Sequence, residues 1–149
     1  MIGLERFGLN AFIDDVFVDL KKRGYQARAI SIDHLRSLQD DIIERFRQGL
    51  FDSDFYKTRL ARFDFSPPKD FEARCLIVVA VPRPQTQAIF KWKGKPLPLI
   101  LPPTYTAYDE ITKVTADILS QLLDKKGYKT AHTGLPLKTL AARSGLSQY

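Results

Sequence analysis

Cysteine is nearly absent from this 149-residue chain, in which Cys75 is the only one. An intramolecular disulfide is therefore excluded. A thiolate zinc site or an iron–sulfur cluster held by this chain alone is also excluded, because each needs several cysteines. Long hydrophobic runs are missing too, since no stretch reaches the ~20 apolar residues of a membrane span. With no secretory signal at the N-terminus, the sequence predicts a cytoplasmic protein without a membrane partner.

The common catalytic motifs are missing as well. The glycines are dispersed rather than grouped in a phosphate-binding loop, and there is no G-x-S-x-G elbow. The two histidines, His34 and His132, are far apart and cannot form a zinc-binding pair on one helix. His132 is the stronger candidate for a functional role, because it lies beside Thr133 at the end of a predicted strand, where sites are often built. A purely structural role for His132 is the alternative.

Positive charge is concentrated in the second half of the chain. The net charge is +6, and it divides into −1 over residues 1–73 and +7 over residues 74–149. A basic half can attract phosphates or a polynucleotide. The alternative is an ordinary solvated surface, and no arginine cluster with interleaved aromatic residues favours nucleic acid over it.

The periodicity of apolar residues predicts an α+β fold of mixed α/β layers, with a central sheet and flanking helices, in a single domain over residues 1–149. Pro67 and Pro68 separate a helical, acidic half (1–72) from a strand-richer, basic half (73–149). Predicted helices cover 10–22, 33–48, 53–60, 109–126 and 136–144. The buried side of the second helix is expected to continue to Leu50, and that of the fourth helix is expected to include Val114. Predicted strands cover 25–32, 75–81, 86–92, 97–101 and 128–132.

The clearest predicted strand covers residues 75–81. It is continuously apolar and ends before Pro82, so both of its faces are expected to be buried at the centre of the sheet. Cys75 fits there as a small hydrophobic residue rather than a reactive thiol.

Aromatic residues and lysines lie close together in a predicted hairpin and the segment after it. Trp92 precedes Lys93-Gly94-Lys95, and Tyr105 follows Pro102-Pro103. Such residues can stack on a planar ligand and pair with its phosphate. Alternatively, they form an ordinary hairpin in which the lysine side chains cover apolar surface.

Three segments carry a family resemblance. They are Ala73-Arg74-Cys75-Leu76-Ile77-Val78-Val79-Ala80-Val81-Pro82, Leu101-Pro102-Pro103-Thr104-Tyr105 and Leu135-Pro136-Leu137-Lys138-Thr139-Leu140-Ala141-Ala142-Arg143-Ser144-Gly145-Leu146. Together they resemble the N-terminal region of iron–sulfur proteins related to epoxyqueuosine reductase and, more remotely, of the corrinoid reductive dehalogenases. The resemblance covers residues 73–149 well and residues 1–72 only in the order of helices.

The resemblance implies a cofactor- or substrate-binding module similar to cobalamin-processing and nitroreductase-like folds. It implies cobalamin as the cofactor, with a flavin as another possibility. It also implies four-iron clusters in a C-terminal ferredoxin-like region of a longer protein, and tRNA or another anionic molecule as substrate. Trp92, Tyr105, Thr133 and Arg143 would then bind the cofactor. His132 would replace a proton-donating aspartate of the family that this chain lacks. The alternative is a non-catalytic binding or interaction module, and the chain alone is not expected to turn over.

Overall fold

The computed structural model describes residues 4–83, 85–101 and 108–148, with side chains described for 13–83, 85–101 and 109–148. The predicted α+β class is confirmed, since helices and antiparallel strands are mixed along the chain. The helices are α1 (Leu4–Lys22), α2 (His34–Arg47), α3 (Ser53–Thr58), α4 (Tyr108–Asp124) and α5 (Leu137–Arg143), and the strands are β1 (Gln26–Ser31), β2 (Cys75–Ala80), β3 (Thr86–Trp92) and β4 (Lys95–Leu101). None of the helices in the described ranges is long and apolar enough to cross a membrane.

The chain divides into two compact units. The first joins Met1–Ala80 to Ala131–Tyr149, and the second is the intervening Val81–Thr130. The described strands form two separate two-stranded sheets, β1 with β2 in the first unit and β3 with β4 in the second. The single central sheet expected from the sequence is therefore not formed by these strands.

The core of the first unit is built from both ends of the chain. Buried leucines of α2 meet Phe65 and two leucines near the C-terminus, and the full cluster is Leu35, Leu38, Phe65, Leu135 and Leu140. Leu76 and Val78 of β2 pack against this cluster. Val16 and Leu20 of α1 and Ala27 of β1 are buried as well. Burial of these side chains, worth roughly 1.5–3 kcal/mol for each large one, fixes the helices on the sheet.

Strand β2 departs from its predicted environment. It pairs antiparallel with β1 in a register that places Ala27 opposite Val79 and Ser31 opposite Cys75. Its residues are half-buried from Cys75 to Val79, and Ala80 is exposed. The prediction of a central strand buried on both faces is wrong, because among the described strands β2 has one neighbour.

Residues 128–132 form neither strand nor helix, so the predicted last strand is also wrong. No described strand lies beside this segment to accept a ladder of hydrogen bonds. The helix ends agree better with the sequence. Asp52 caps α3 by accepting a hydrogen bond from the Phe55 backbone N–H at 2.9 Å, and Gly49 follows α2 with a φ of 72°.

Candidate functional site

The residues predicted to form a site lie in different parts of the fold. Trp92 belongs to the second unit, on the β3–β4 hairpin, whereas His132, Thr133 and Arg143 belong to the first. Tyr105 lies outside the described residues.

Arg143 ties the last helix to the second. One guanidinium nitrogen, Nη1, donates a hydrogen bond to the Ser37 Oγ at 2.8 Å, and the other, Nη2, forms an ion pair with the Asp41 carboxylate. The Arg143 side chain is only 21% exposed. Ser37 and Asp41 are four residues apart on α2 and so lie on one side of that helix. The charge of Arg143, predicted to bind a cofactor, is already paired within the protein.

His132 and Thr133 lie in the irregular segment that leads into α5. Both side chains are exposed. Leu135, two residues after Thr133, is 4% exposed and anchors the segment in the core. His132 therefore lies on an exposed segment next to a buried anchor, and its imidazole is accessible to a ligand. Its predicted role as a proton donor stays a prediction.

An open cleft of about 530 Å³ lies beside the first turns of α2. Leu35 and Phe65, which are 5% and 9% exposed, form its apolar floor. Its rim carries charges of both signs on Asp33, Arg36 and Asp40. The mixed rim gives the cleft no clear preference for an anion or a cation.

The loop at this cleft is held by a short polar turn. The Ser66 backbone N–H donates a hydrogen bond to the Asp64 Oδ1 at 2.8 Å. The backbone and side-chain hydrogen bonds of Ser66 lower the pKa of the Asp64 carboxyl; desolvation opposes them, and the charge of Lys69 adds a smaller lowering effect. Asp64 is therefore ionised at neutral pH, and its carboxylate accepts the hydrogen bond that spans Phe65.

The tip of the β3–β4 hairpin combines the features predicted for ligand binding. Trp92 is 68% exposed, and it lines an open concavity of about 430 Å³ with Lys93, Lys95, Pro96 and Leu97. No acidic residue occurs between Glu72 and Asp109 in the sequence, so every charged side chain of the hairpin itself is a cation. An aromatic ring beside two ammonium groups suits a planar ligand that carries an anionic tail.

The rest of the hairpin is unusually apolar on both faces. Side chains alternate between the faces, which places Phe90, Trp92, Leu97 and Leu99 on one face and Ile89 and Ile100 on the other. All six are exposed, from 44% for Leu99 to 70% for Ile89. Exposed apolar surface in one contiguous element is typical of a site that binds a ligand or another protein.

Neither an activated Cys75 thiol nor a metal-binding cluster is found in the described part of the chain. Burial raises the pKa of the half-buried Cys75 thiol, so the thiol stays protonated at neutral pH. Among the described residues, no group of three or more His, Cys, Asp or Glu side chains is placed to hold a metal ion.

Two features of the surface were not predicted from the sequence. The first is the ion pair between Asp41 and Arg143. The four-residue spacing of Ser37 and Asp41 predicts that both lie on one side of α2. It does not identify Arg143, about a hundred residues away, as their partner. The second is the cleft beside α2. It depends on Phe65, which packs against α2 from an irregular segment, and such packing leaves no periodic pattern in the sequence.

Comparisons with known proteins add no relationship to these observations. No protein-family model matches the sequence, and neither the curated proteins nor the solved structures contain a significant match to it.

Proposed function

We propose that this protein is a cofactor- or substrate-binding module of an epoxyqueuosine reductase-like iron–sulfur oxidoreductase, and that the tip of the β3–β4 hairpin is its binding surface. The observation that carries the proposal is the exposed Trp92 ring beside Lys93 and Lys95. The three sequence segments that resemble this family support it. With one cysteine in the chain, any clusters that deliver electrons are held by other polypeptide.

The chemistry of the tip favours a planar, anionic ligand. The indole of Trp92 and the side chain of Leu97 offer apolar contact to a ring, and the ammonium groups of Lys93 and Lys95 attract a phosphate. A corrinoid or a flavin nucleotide has both features. The concavity of about 430 Å³ is open to solvent, so a ring system larger than this volume extends beyond it. A corrinoid, when bound, supplies redox chemistry at its metal; the chain supplies binding and charge.

Trp92 itself provides the test, since it is the only tryptophan. We expect saturable quenching of its fluorescence when the protein is titrated with cob(II)alamin or with flavin mononucleotide. Lys93→Gln and Lys95→Gln should each weaken binding about 3- to 10-fold, the scale of one charge-assisted contact. Lys113→Gln, which changes an exposed lysine of α4 instead, should leave the affinity unchanged. Absence of saturable quenching by either ligand at about millimolar concentration would contradict the proposal.

A second candidate function is favoured by the apolar faces of the hairpin. Ile89 and Ile100 lie on the face opposite Trp92, yet both are largely exposed. A ligand stacked on Trp92 would leave these two side chains in water. A non-catalytic interaction module accounts for them, because protein partners bury apolar surface over a wider area than small ligands do.

A further inference from the structure

The two edges of the β3–β4 hairpin differ in their capacity to bind another strand. Residues 93 and 94 form a two-residue turn with positive φ at both positions, 48° at Lys93 and 77° at Gly94. In such a turn the flanking residues, Trp92 and Lys95, form a hydrogen-bonded pair. Along the ladder, pairs that exchange backbone hydrogen bonds then alternate with pairs that do not.

This alternation determines which backbone groups point away from the hairpin. Pro96 and Pro98 fall in pairs that are not hydrogen-bonded, opposite Lys91 and Ile89. Their nitrogens therefore face outward, and proline has no N–H to donate. The outer edge of β4 thus lacks two of the donors that an added strand would need.

The outer edge of β3 has a full set of these groups. Gln87, Ile89 and Lys91 direct their N–H and C=O groups away from β4. In the described part of the chain, β4 is the only strand that pairs with β3. An edge of this kind, with intact donors and exposed apolar side chains, is a template for strand addition.

We propose that the outer edge of β3 binds the same edge of a second copy of this chain, in an antiparallel pair centred on Ile89. Ile89 then lies opposite its own counterpart, Ala88 opposite Phe90, and Gln87 opposite Lys91. No two lysines face each other in this register, and small residues oppose large ones. The pairing is independent of the ligand proposed at the hairpin tip.

Three observations favour a second copy over a strand of another protein. The strand can pair with its own copy about a two-fold axis without opposing like charges, because Lys91 faces Gln87 in this register. Pairing converts two two-stranded sheets into one four-stranded sheet, and a hairpin of two strands is only marginally stable by itself. The outer strands of that sheet are both β4, and their prolines block further addition. The assembly therefore closes as a dimer and does not grow into a fibre.

Proline substitutions test the edge directly. Ile89→Pro removes an outward N–H from β3 without breaking a bond inside the hairpin, and it should weaken dimerisation about 100-fold or more, because two symmetric hydrogen bonds are lost. Ile100→Pro is the matched control: it removes an outward N–H from the edge of β4 and should leave the dimer intact. Sedimentation equilibrium measures the dissociation constants, and circular dichroism verifies that each variant is folded.

Charge substitutions at Gln87 test the register in chains that keep an ordinary backbone. Gln87→Glu places a carboxylate opposite Lys91 of the second copy and should strengthen dimerisation. Gln87→Lys places like charges together and should weaken it, each by about 2- to 30-fold for two symmetric pairs. Both effects should shrink in high salt.

Several results would overturn the proposal. One is a chain that stays monomeric up to about millimolar concentration. Another is a dimer that survives Ile89→Pro, which would indicate contact through the hairpin faces. A monomer that binds vesicles with anionic lipids would assign the hairpin to a membrane surface instead. Repeating the ligand titrations on Ile89→Pro separates this proposal from the function of the tip, since ligand binding should persist in that variant.

Discussion

At the scale of single residues, Arg143 is the side chain that links the two ends of the first unit. Its hydrogen bond to Ser37 and its ion pair with Asp41 connect α5 to α2 across most of the sequence. The Asp41 side chain is 58% exposed, so solvent screens the pair and its net contribution is modest. Position, rather than strength, makes this contact informative about the fold.

A double-mutant cycle measures this link. Arg143→Ala and Asp41→Ala should each lower the free energy of unfolding, with a coupling of about 0.5–1 kcal/mol because the arginine is mostly buried and the aspartate is not. Urea denaturation provides the four stabilities. The control pair is Lys22 and Asp19, which are 71% and 47% exposed on α1, and its coupling should be smaller. Equal coupling in both pairs would mean that the α5 contact is an ordinary surface pair.

Cys75 should be slow to react in the folded protein. Burial raises the pKa of its thiol above the ordinary 9.0. The folded state therefore holds the proton more tightly, which stabilises it below that pH and ceases to do so as the pH rises through the raised pKa. We expect iodoacetamide to alkylate the native chain more slowly than the urea-unfolded chain, with the difference persisting above pH 9. Equal rates at neutral pH would contradict this.

At the scale of secondary-structure elements, the β3–β4 hairpin depends on its turn. Gly94 has a φ of 77° and Lys93 has a φ of 48°. Residues other than glycine and asparagine seldom adopt positive φ values of this kind. Gly94→Ala should therefore destabilise the hairpin by about 1 kcal/mol. Lys93→Asn should stabilise it, because Asn-Gly is the preferred pair for this turn.

Amide chemical shifts of β3 and β4 report the folded fraction of the hairpin in both variants. A Gly127→Ala variant serves as the comparison, since Gly127 has a similar φ of 81° but follows α4 outside the hairpin. It should leave the shifts of β3 and β4 unchanged. If Gly94→Ala left these shifts unchanged as well, the positive φ at the turn would be wrong.

The elements that the sequence predicted correctly are those set by local signals. Strand β1, helix α2 and the β3–β4 hairpin follow from periodicity and from turn residues, and Gly49 and Gly145 follow helices with positive φ as expected. The predicted single sheet and the burial of β2 on both faces were wrong. Pairing between distant strands leaves no local pattern in the sequence. The apolar run of β2 predicts a strand, but it does not identify the strands that pair with it.

Two burial predictions failed for physical reasons that the structure makes plain. Leu50 is 63% exposed, because Gly49 in the left-handed region reverses the chain and ends the helical period before Leu50. Val114 is 46% exposed, and its neighbour Thr115 is buried instead. The Thr115 hydroxyl donates to the Ile111 carbonyl at 2.7 Å, which satisfies it within the helix and lets a polar residue occupy the buried side.

At the scale of the whole molecule, the first unit is discontinuous in sequence. Its core needs Leu135 and Leu140 from the C-terminal segment as well as Leu35, Leu38 and Phe65 from the first part. The predicted site shares this property, because its residues come from both units. The sequence could identify residues capable of binding, such as Trp92 and His132, but spacing alone could not place them in one site.

Ending the chain after Thr130 tests the discontinuous core. Removing Leu135 and Leu140, which are 4% and 3% exposed, should cost at least about 4 kcal/mol, the sum of two buried leucines. We expect loss of cooperative urea unfolding and of near-ultraviolet circular dichroism. A chain that keeps both ends but replaces residues 82–130 with a flexible Gly/Ser linker should retain cooperative unfolding. Cooperative unfolding of the truncated chain would show that α5 is dispensable.

The split core also sets an order of events during synthesis on the ribosome. The β3–β4 hairpin contains only near neighbours in sequence, so it can pair as soon as it leaves the exit tunnel. Helix α2 emerges much earlier, yet Leu35 and Leu38 have no complete surroundings until α5 follows about a hundred residues later. Helix α2 is therefore synthesised well before the residues that complete its burial. Until then, the apolar side of α2 stays exposed to solvent, where chaperones can bind it or proteases can cleave it.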